Sequence, residues 1–149
     1  MGNFLHDFTS GASRDDIVKT EQALGVNLPE DLIAFWEKHQ GGWPENDIFE
    51  YTDMYGVDAD GQMMSFLMLN DKDDGVVRKT LSFRRDDRIL DSHVIIADEG
   101  GGHKILYDSH DGKIYVWDHE NEDVMPDNCY PIGENFTHFF YDVLHKIED

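Results

Sequence analysis

The sequence predicts an α+β fold in which a central, mostly antiparallel sheet packs against two short N-terminal helices and one C-terminal helix. Residues 91–118 provide the first observation, because three β-rich runs follow one another there and only turn residues separate them. Two helical patterns precede these runs within residues 13–42, and a third follows at residues 136–147. A length of 149 residues is typical of one domain, so we expect a single domain over residues 1–149.

The first helix is predicted to begin after Ser13, whose hydroxyl can accept a hydrogen bond from an unpaired amide of the first turn. Ile17 and Leu24 follow at helical spacing, and Gly25 provides the stop. A second helix is predicted to open with Pro29 in its first turn and to close at two glycines. Because both helices are short and few residues join them, we expect them to pack as a pair.

Two strands are predicted in the next part of the chain, where the signal is weaker. The first lies within residues 47–57, and the second is the apolar run at residues 63–69. Asp60 and Gly61 are predicted to form the turn between them.

A polar loop is predicted at residues 70–74. The following residues, 76–88, hold five of the twelve Lys and Arg residues of the chain, together with Leu81 and Phe83. Their pattern fits a helix or a strand, and the sequence leaves both open.

Three successive strands are predicted at the centre of the sheet, at residues 93–97, 103–107 and 113–117. Glycines 100–102 provide the first turn, since residues without a Cβ adopt positive φ readily. Asp111-Gly112 provides the second, a strong hairpin signal between alternating apolar residues. The third strand is apolar on both faces, which indicates that both faces are covered and that it is central rather than an edge.

The last helix is predicted from an apolar stripe with three- and four-residue spacing. The stripe comprises Phe136, Phe139, Phe140, Val143, Leu144 and Ile147. Asn135 precedes it and suits the N-cap position. A stripe this rich in aromatic residues is expected to be buried against the sheet.

The chain is strongly acidic, with 32 Asp and Glu residues against 12 Lys and Arg, which gives a formal charge of −20. Nine Phe, six Tyr and three Trp residues argue against disorder, because disordered acidic chains contain few aromatic residues. A folded domain with this charge repels nucleic acid and anionic membranes and attracts basic partners. We therefore expect no nucleic-acid or membrane partner; solubility alone is the alternative explanation of the charge.

The cysteine content and the N-terminal segment favour a cytoplasmic protein. Cys129 is the only cysteine, so no internal disulfide can form. The N-terminal segment lacks the basic region and apolar run of a secretory signal, and no apolar stretch is long enough to span a bilayer. We expect a monomer or a weak dimer.

The sequence favours neither an enzyme nor a cofactor-binding protein. Cys129 lies in a stretch flanked by prolines and lacks the glycine-rich elbow of a nucleophile. Glycines 100–102 lack the Lys and the Ser or Thr of a phosphate loop. Eight His residues are present without the spacing of a metal site, so surface or strand-end positions are the better interpretation. We therefore predict no catalytic, cofactor or metal site.

Two blocks of the sequence resemble the SUKH superfamily. The first, residues 17–42, contains a helix with Glu21 before Leu24-Gly25, then a Leu-Pro pair and a second helix that ends in two glycines. The second, residues 95–118, contains the runs IIAD, ILYD and IYVWD of the central strands. The order and spacing of the two blocks carry the resemblance, because each block alone is degenerate.

This resemblance implies an α+β domain with a role in protein binding. Many bacterial members of the superfamily are immunity proteins that bind and neutralise a cognate toxin, often a nuclease. Eukaryotic members include a regulator of cell-wall assembly that acts as an interaction module, so a regulatory scaffold is the alternative function. Residues 43–88 match neither block, and we expect partner specificity to lie there.

Acidic residues at the ends of the central strands are the candidate partner-binding residues. They are Asp98, Glu99, Asp108, Asp111, Asp118 and Glu120. We expect them to be exposed in turns, with one group at each end of the sheet. A nuclease toxin that grips phosphates must be basic, so an acidic inhibitor would be steered to it and would cover its substrate site.

Overall fold

A six-stranded antiparallel sheet forms the centre of the computed structural model, which describes residues 2–69 and 74–147. The strands are β1 (Leu5–His6), β2 (Thr9–Ser10), β3 (His39–Gln40), β4 (Trp43–Pro44), β5 (Ile48–Thr52), β6 (Asp58–Phe66), β7 (His93–Glu99), β8 (Lys104–Asp108), β9 (Ile114–Trp117) and β10 (Cys129–Gly133). The large sheet has the order β10-β9-β8-β7-β6-β5, and β1 pairs with β4 and β2 with β3 beside it. This architecture confirms the predicted α+β fold with a central antiparallel sheet.

The helices include both that were predicted near the N-terminus. They are α1 (Arg14–Leu24), α2 (Glu30–Lys38), α3 (Val76–Arg85), a 3-10 helix (His119–Val124) and a π-helix (His138–Val143). The Ser13 hydroxyl accepts from the Asp16 amide at 3.1 Å, and Gly25 ends α1 in the left-handed conformation, as predicted. The segment left open between helix and strand is α3. Of the loop predicted at 70–74, residues 70–73 lie outside the described part of the chain.

Helix α3 is attached to the sheet by side chains that bond to backbone. Thr80 is buried, and its hydroxyl accepts from the Ile95 amide of β7 at 3.0 Å. The Arg84 guanidinium donates to the carbonyls of Leu24 and His93, at 2.7 and 2.9 Å. One arginine thus joins the end of α1, the end of α3 and the start of β7.

The turn predicted at Asp60-Gly61 is wrong. Both residues lie inside β6, and the turn follows Asp53, whose carboxylate accepts from the Tyr55 amide at 2.9 Å. Gly61 has a different reason to be glycine: a Cβ there would come within 2.2 Å of the Phe49 ring. Gly61 therefore does not turn the chain; its lack of a side chain allows the Phe49 ring to pack against the backbone.

The predicted C-terminal helix is shorter than its apolar stripe. The Asn135 side chain accepts from the His138 amide at 2.8 Å, as a cap does, but the π-helix ends at Val143. The chain then becomes extended, and the backbones of Ile48 and His145 exchange hydrogen bonds of 2.8 and 2.9 Å. Pairing with the outer edge of β5 thus replaces the last helical turn and leaves Ile147 exposed.

The sheet is so strongly curved that its two outer strands, β5 and β10, face each other. The rings of Tyr51 in β5 and Tyr130 in β10 stack with centroids 5.6 Å apart and planes 11° from parallel. Phe139 of the π-helix is fully buried and meets Phe49 edge-on. On its other side it lies so close to Gly133 that a Cβ there would come within 2.7 Å of the phenylalanine Cβ. The π-helix therefore packs into the concave side of the curved sheet and fills the space there.

Candidate protein-interaction surface

The six acidic residues chosen from the sequence fall at two ends of the sheet. Glu99 and Asp118 meet at one end through His103: its amide lies 3.3 Å from the Glu99 carboxylate, and its Nδ1 lies 3.6 Å from that of Asp118. Asp108 and Asp111 lie at the other end, in the turn between β8 and β9. We call the first of these two ends the acidic end.

Three of the six residues are buried, which corrects the expectation that all would be exposed. They are Glu99, Asp108 and Asp118. Glu99 accepts from the amides of Gly101 and Gln62 at 2.8 and 3.1 Å, and Asp108 accepts from the His110 amide at 2.9 Å. These carboxylates pair with backbone amides of the turns and of β6 that would otherwise be unpaired, which is the physical reason for their burial.

Asp118 is the centre of the most extensive of these networks. Its carboxylate accepts from the Tyr130 hydroxyl and the Asn121 amide group, both at 2.7 Å, and from the Glu120 backbone amide at 2.9 Å. Burial alone would raise the pKa of Asp118, but these hydrogen bonds outweigh it and hold the pKa below its ordinary value of 3.8. Asp118 is therefore a charged structural residue.

The other three residues differ in how far they face solvent. Asp98 is half-buried, and its carboxylate accepts from the Lys104 ammonium at 2.7 Å. Asp111 is exposed and accepts from the Tyr115 hydroxyl, while Glu120 is exposed at the acidic end. Only Asp111 and Glu120 thus present a largely open carboxylate to a partner.

Tyr51 lies beside the acidic end, with its ring centroid 6.3 Å from that of His103. Burial raises the pKa of its hydroxyl, and nearby negative charges raise it further. These charges belong to Asp53, Glu99, Asp118 and Glu120. Four carboxylates from three segments of the chain therefore act on one tyrosine, and the potential there is negative.

A second feature, which sequence reasoning did not identify, is the hairpin formed by β5 and β6. It extends beyond the end of β7, because Met63 is the first β6 residue that pairs with β7. An open depression on it is lined by Glu50, Tyr51, Thr52, Asp58, Ala59 and Asp60. Exposed apolar side chains occupy its tip. We call Glu50, Met54, Tyr55, Val57, Asp58 and Asp60 the hairpin surface.

A signal for this hairpin is present in the sequence. No Lys or Arg lies between Lys38 and Lys72, although several acidic residues do. The negative charge of this segment is therefore not balanced by basic residues nearby in the sequence.

Comparison with known proteins identifies the fold family. The model of the SMI1 / KNR4 family (SUKH-1) matches residues 11–142. The chain belongs to this family. The match includes residues 43–88, so the hairpin lies within the family domain although the two sequence blocks did not cover it.

A relative that matches most of the chain is also found. This SUKH-1 domain is 27% identical over 163 residues to the SPbeta prophage-derived uncharacterized protein YokK of Bacillus subtilis (strain 168). The alignment covers 95% of this chain and 83% of that protein.

Neither a metal-binding cluster nor a membrane-spanning helix is found among the described residues. Across 2–69 and 74–147, no three His, Cys, Asp or Glu side chains converge as a metal site would require. Within the same residues, none of the helices has both the length and the apolar composition needed to cross a bilayer.

The Cys129 thiol of the SUKH-1 domain is held in its neutral form. Burial raises its pKa to about 12, with a smaller contribution from the charge of Asp108. Because the thiolate is the reactive form, we expect the native protein at pH 8 to react with iodoacetamide far more slowly than the protein unfolded in urea. Mass spectrometry of timed samples measures both rates; equal rates would contradict a raised pKa for this half-buried thiol.

Proposed function

We propose that this SUKH-1 domain is an immunity-type protein that binds a basic, nuclease-type toxin by direct non-covalent contact and neutralises it. The observation that carries the proposal is exposed negative charge at one end of the sheet, where Glu120 and the hairpin carboxylates of Glu50, Asp58 and Asp60 face solvent in a chain of charge −20. Family membership supports the same function, because bacterial members of the wider superfamily include immunity proteins.

The mechanism follows from charge. A nuclease concentrates Lys and Arg side chains where it grips the phosphates of its substrate. A compact acidic surface is attracted to that site before contact, which raises the rate of association. Once bound, it displaces the nucleic acid and occupies the positions of the phosphate charges. Neutralisation therefore needs no chemical step.

The proposal predicts that a nuclease-type polypeptide is encoded directly upstream of the gene for this chain, and the test uses that polypeptide. We expect co-expression of the SUKH-1 domain to restore growth that this polypeptide arrests, and the purified domain to inhibit its nuclease activity at a 1:1 ratio. The association rate should fall at least about tenfold between low and high salt, because charges steer the encounter.

Two outcomes would contradict the proposal. Growth arrest that persists with the folded domain present would exclude neutralisation of that toxin. Binding that leaves the nuclease fully active would favour the regulatory scaffold instead.

A further inference from the structure

The tip of the β5–β6 hairpin exposes apolar side chains on a rigid turn. Tyr55 is 70% and Val57 is 57% exposed, and Met54 lies beside them. The Asp53 carboxylate fixes the turn by accepting from the amides of Tyr55 and Val57 at 2.9 and 3.0 Å. The Tyr55 hydroxyl also donates to the Asn121 side chain at 3.3 Å. These hydrogen bonds hold the backbone of the tip and the Tyr55 hydroxyl in the free protein, which limits the entropy lost on binding.

The strands behind the tip carry like charges on one face. Glu50 lies directly opposite Asp60, and Asp58 follows on the same face because side chains two residues apart point the same way. Like charges directly opposite each other destabilise a strand pair. Glu50 is paired with His145 at 2.7 Å, but within the described part of the chain the Asp60 carboxylate has no hydrogen bond or ion pair.

The apolar tip and the carboxylates behind it would be complemented by the same kind of partner. An exposed apolar group on a rigid support is typical of a binding anchor. The neighbouring carboxylates repel each other in the free protein, and cations from a partner would relieve that repulsion. A surface that complements both features has an apolar recess bordered by Lys or Arg side chains.

We propose that the hairpin surface is the docking site for the cationic face of the toxin. Tyr55 is the anchor in an apolar recess of the toxin, and Glu50, Asp58 and Asp60 receive its Lys and Arg side chains. This inference rests on the proposed function and adds the location of the interface, in residues 43–88 where partner specificity was expected.

The experiment measures association and dissociation rates of the full chain with the purified toxin. In Glu50→Gln/Asp58→Asn/Asp60→Asn, we expect association at low salt to slow by about tenfold or more and its salt dependence to flatten. In Tyr55→Ser, we expect dissociation to accelerate by about 30-fold, as for a binding hot spot. Both variants should melt close to the wild type, because Tyr55 is exposed and the loss of the exposed Glu50–His145 pair is offset by relief of the repulsion between Glu50 and Asp60.

Matched controls make the same chemical changes elsewhere. Asp91→Asn/Asp111→Asn/Glu134→Gln removes three exposed charges at the opposite end of the sheet, and Phe4→Ser/Phe8→Ser removes exposed apolar groups near the N-terminus. We expect neither control to change either rate more than about threefold.

The outcomes separate the two proposals. A wild-type domain that fails to bind the toxin overturns the proposed function, and the docking site with it. Tight wild-type binding that the folded hairpin variants leave unchanged overturns the docking site alone. In that case, a loss of binding in one of the control variants would assign the interface to the opposite end of the sheet or to the N-terminal aromatic residues.

Discussion

Replacing Asp118 by alanine is expected to lower the free energy of unfolding by about 3–5 kcal/mol, the range for removing one member of a buried charged network. The buried Tyr130 hydroxyl would lose its acceptor, and the Asn121 side chain and Glu120 amide would lose theirs. Urea denaturation measures the change as a lower midpoint at unchanged slope. Glu120→Ala is the control: because this side chain is exposed, its removal should change the free energy of unfolding by less than about 0.5 kcal/mol.

The same residue gives stability a defined pH dependence. Because folding lowers the pKa of Asp118, its contribution is fully present above the ordinary value of 3.8 and is lost as the pH falls through the lower folded-state pKa. The difference in stability between the wild type and Asp118→Asn should therefore be largest near neutral pH and shrink in acid. A difference that grew in acid would contradict a lowered pKa.

Replacing Phe139 by alanine is expected to destabilise the protein by about 3–5 kcal/mol, through lost burial and the cavity left behind. This ring is fully buried between Phe49 and Gly133, and Gly133 has no side chain that could fill the space. Thermal and urea unfolding both measure the loss. The informative control is Ile147→Ala, since Ile147 shares the predicted apolar stripe but is exposed.

A cost below about 0.5 kcal/mol for Ile147→Ala would agree with a helix that ends at Val143. A cost close to that of Phe139→Ala would mean that the helix continues and that the stripe is buried along its full length.

Local signals in the sequence predicted most of the framework. Ser13 and Gly25 define the ends of α1 through contacts within a few residues, so the sequence alone is sufficient to locate them. The central strands were predicted for the same reason, since β-branched runs and glycine turns are adjacent in the chain. The resemblance to the SUKH superfamily also rested on these local blocks.

Features that depend on distant contacts were not predictable in this way. Gly61 resembled a turn residue, but its role is set by Phe49 on the neighbouring strand. The burial of Asp118 depends on Tyr130, which reaches it from another strand. A carboxylate in a turn looks the same in a sequence whether it faces solvent or holds the turn together. For that reason the six candidate acidic residues included three that are buried.

The covered edges of the sheet have a consequence for how the protein behaves at high concentration. Exposed strand edges promote association between chains, which leads to aggregation. Here Ile48 at the outer edge of β5 is bonded to His145, and the curvature of the sheet brings β10 against β5. The immunity-type protein that we propose would protect a cell only while it outnumbered its toxin. A sheet with few open edge groups would allow such a protein to accumulate in excess without aggregating.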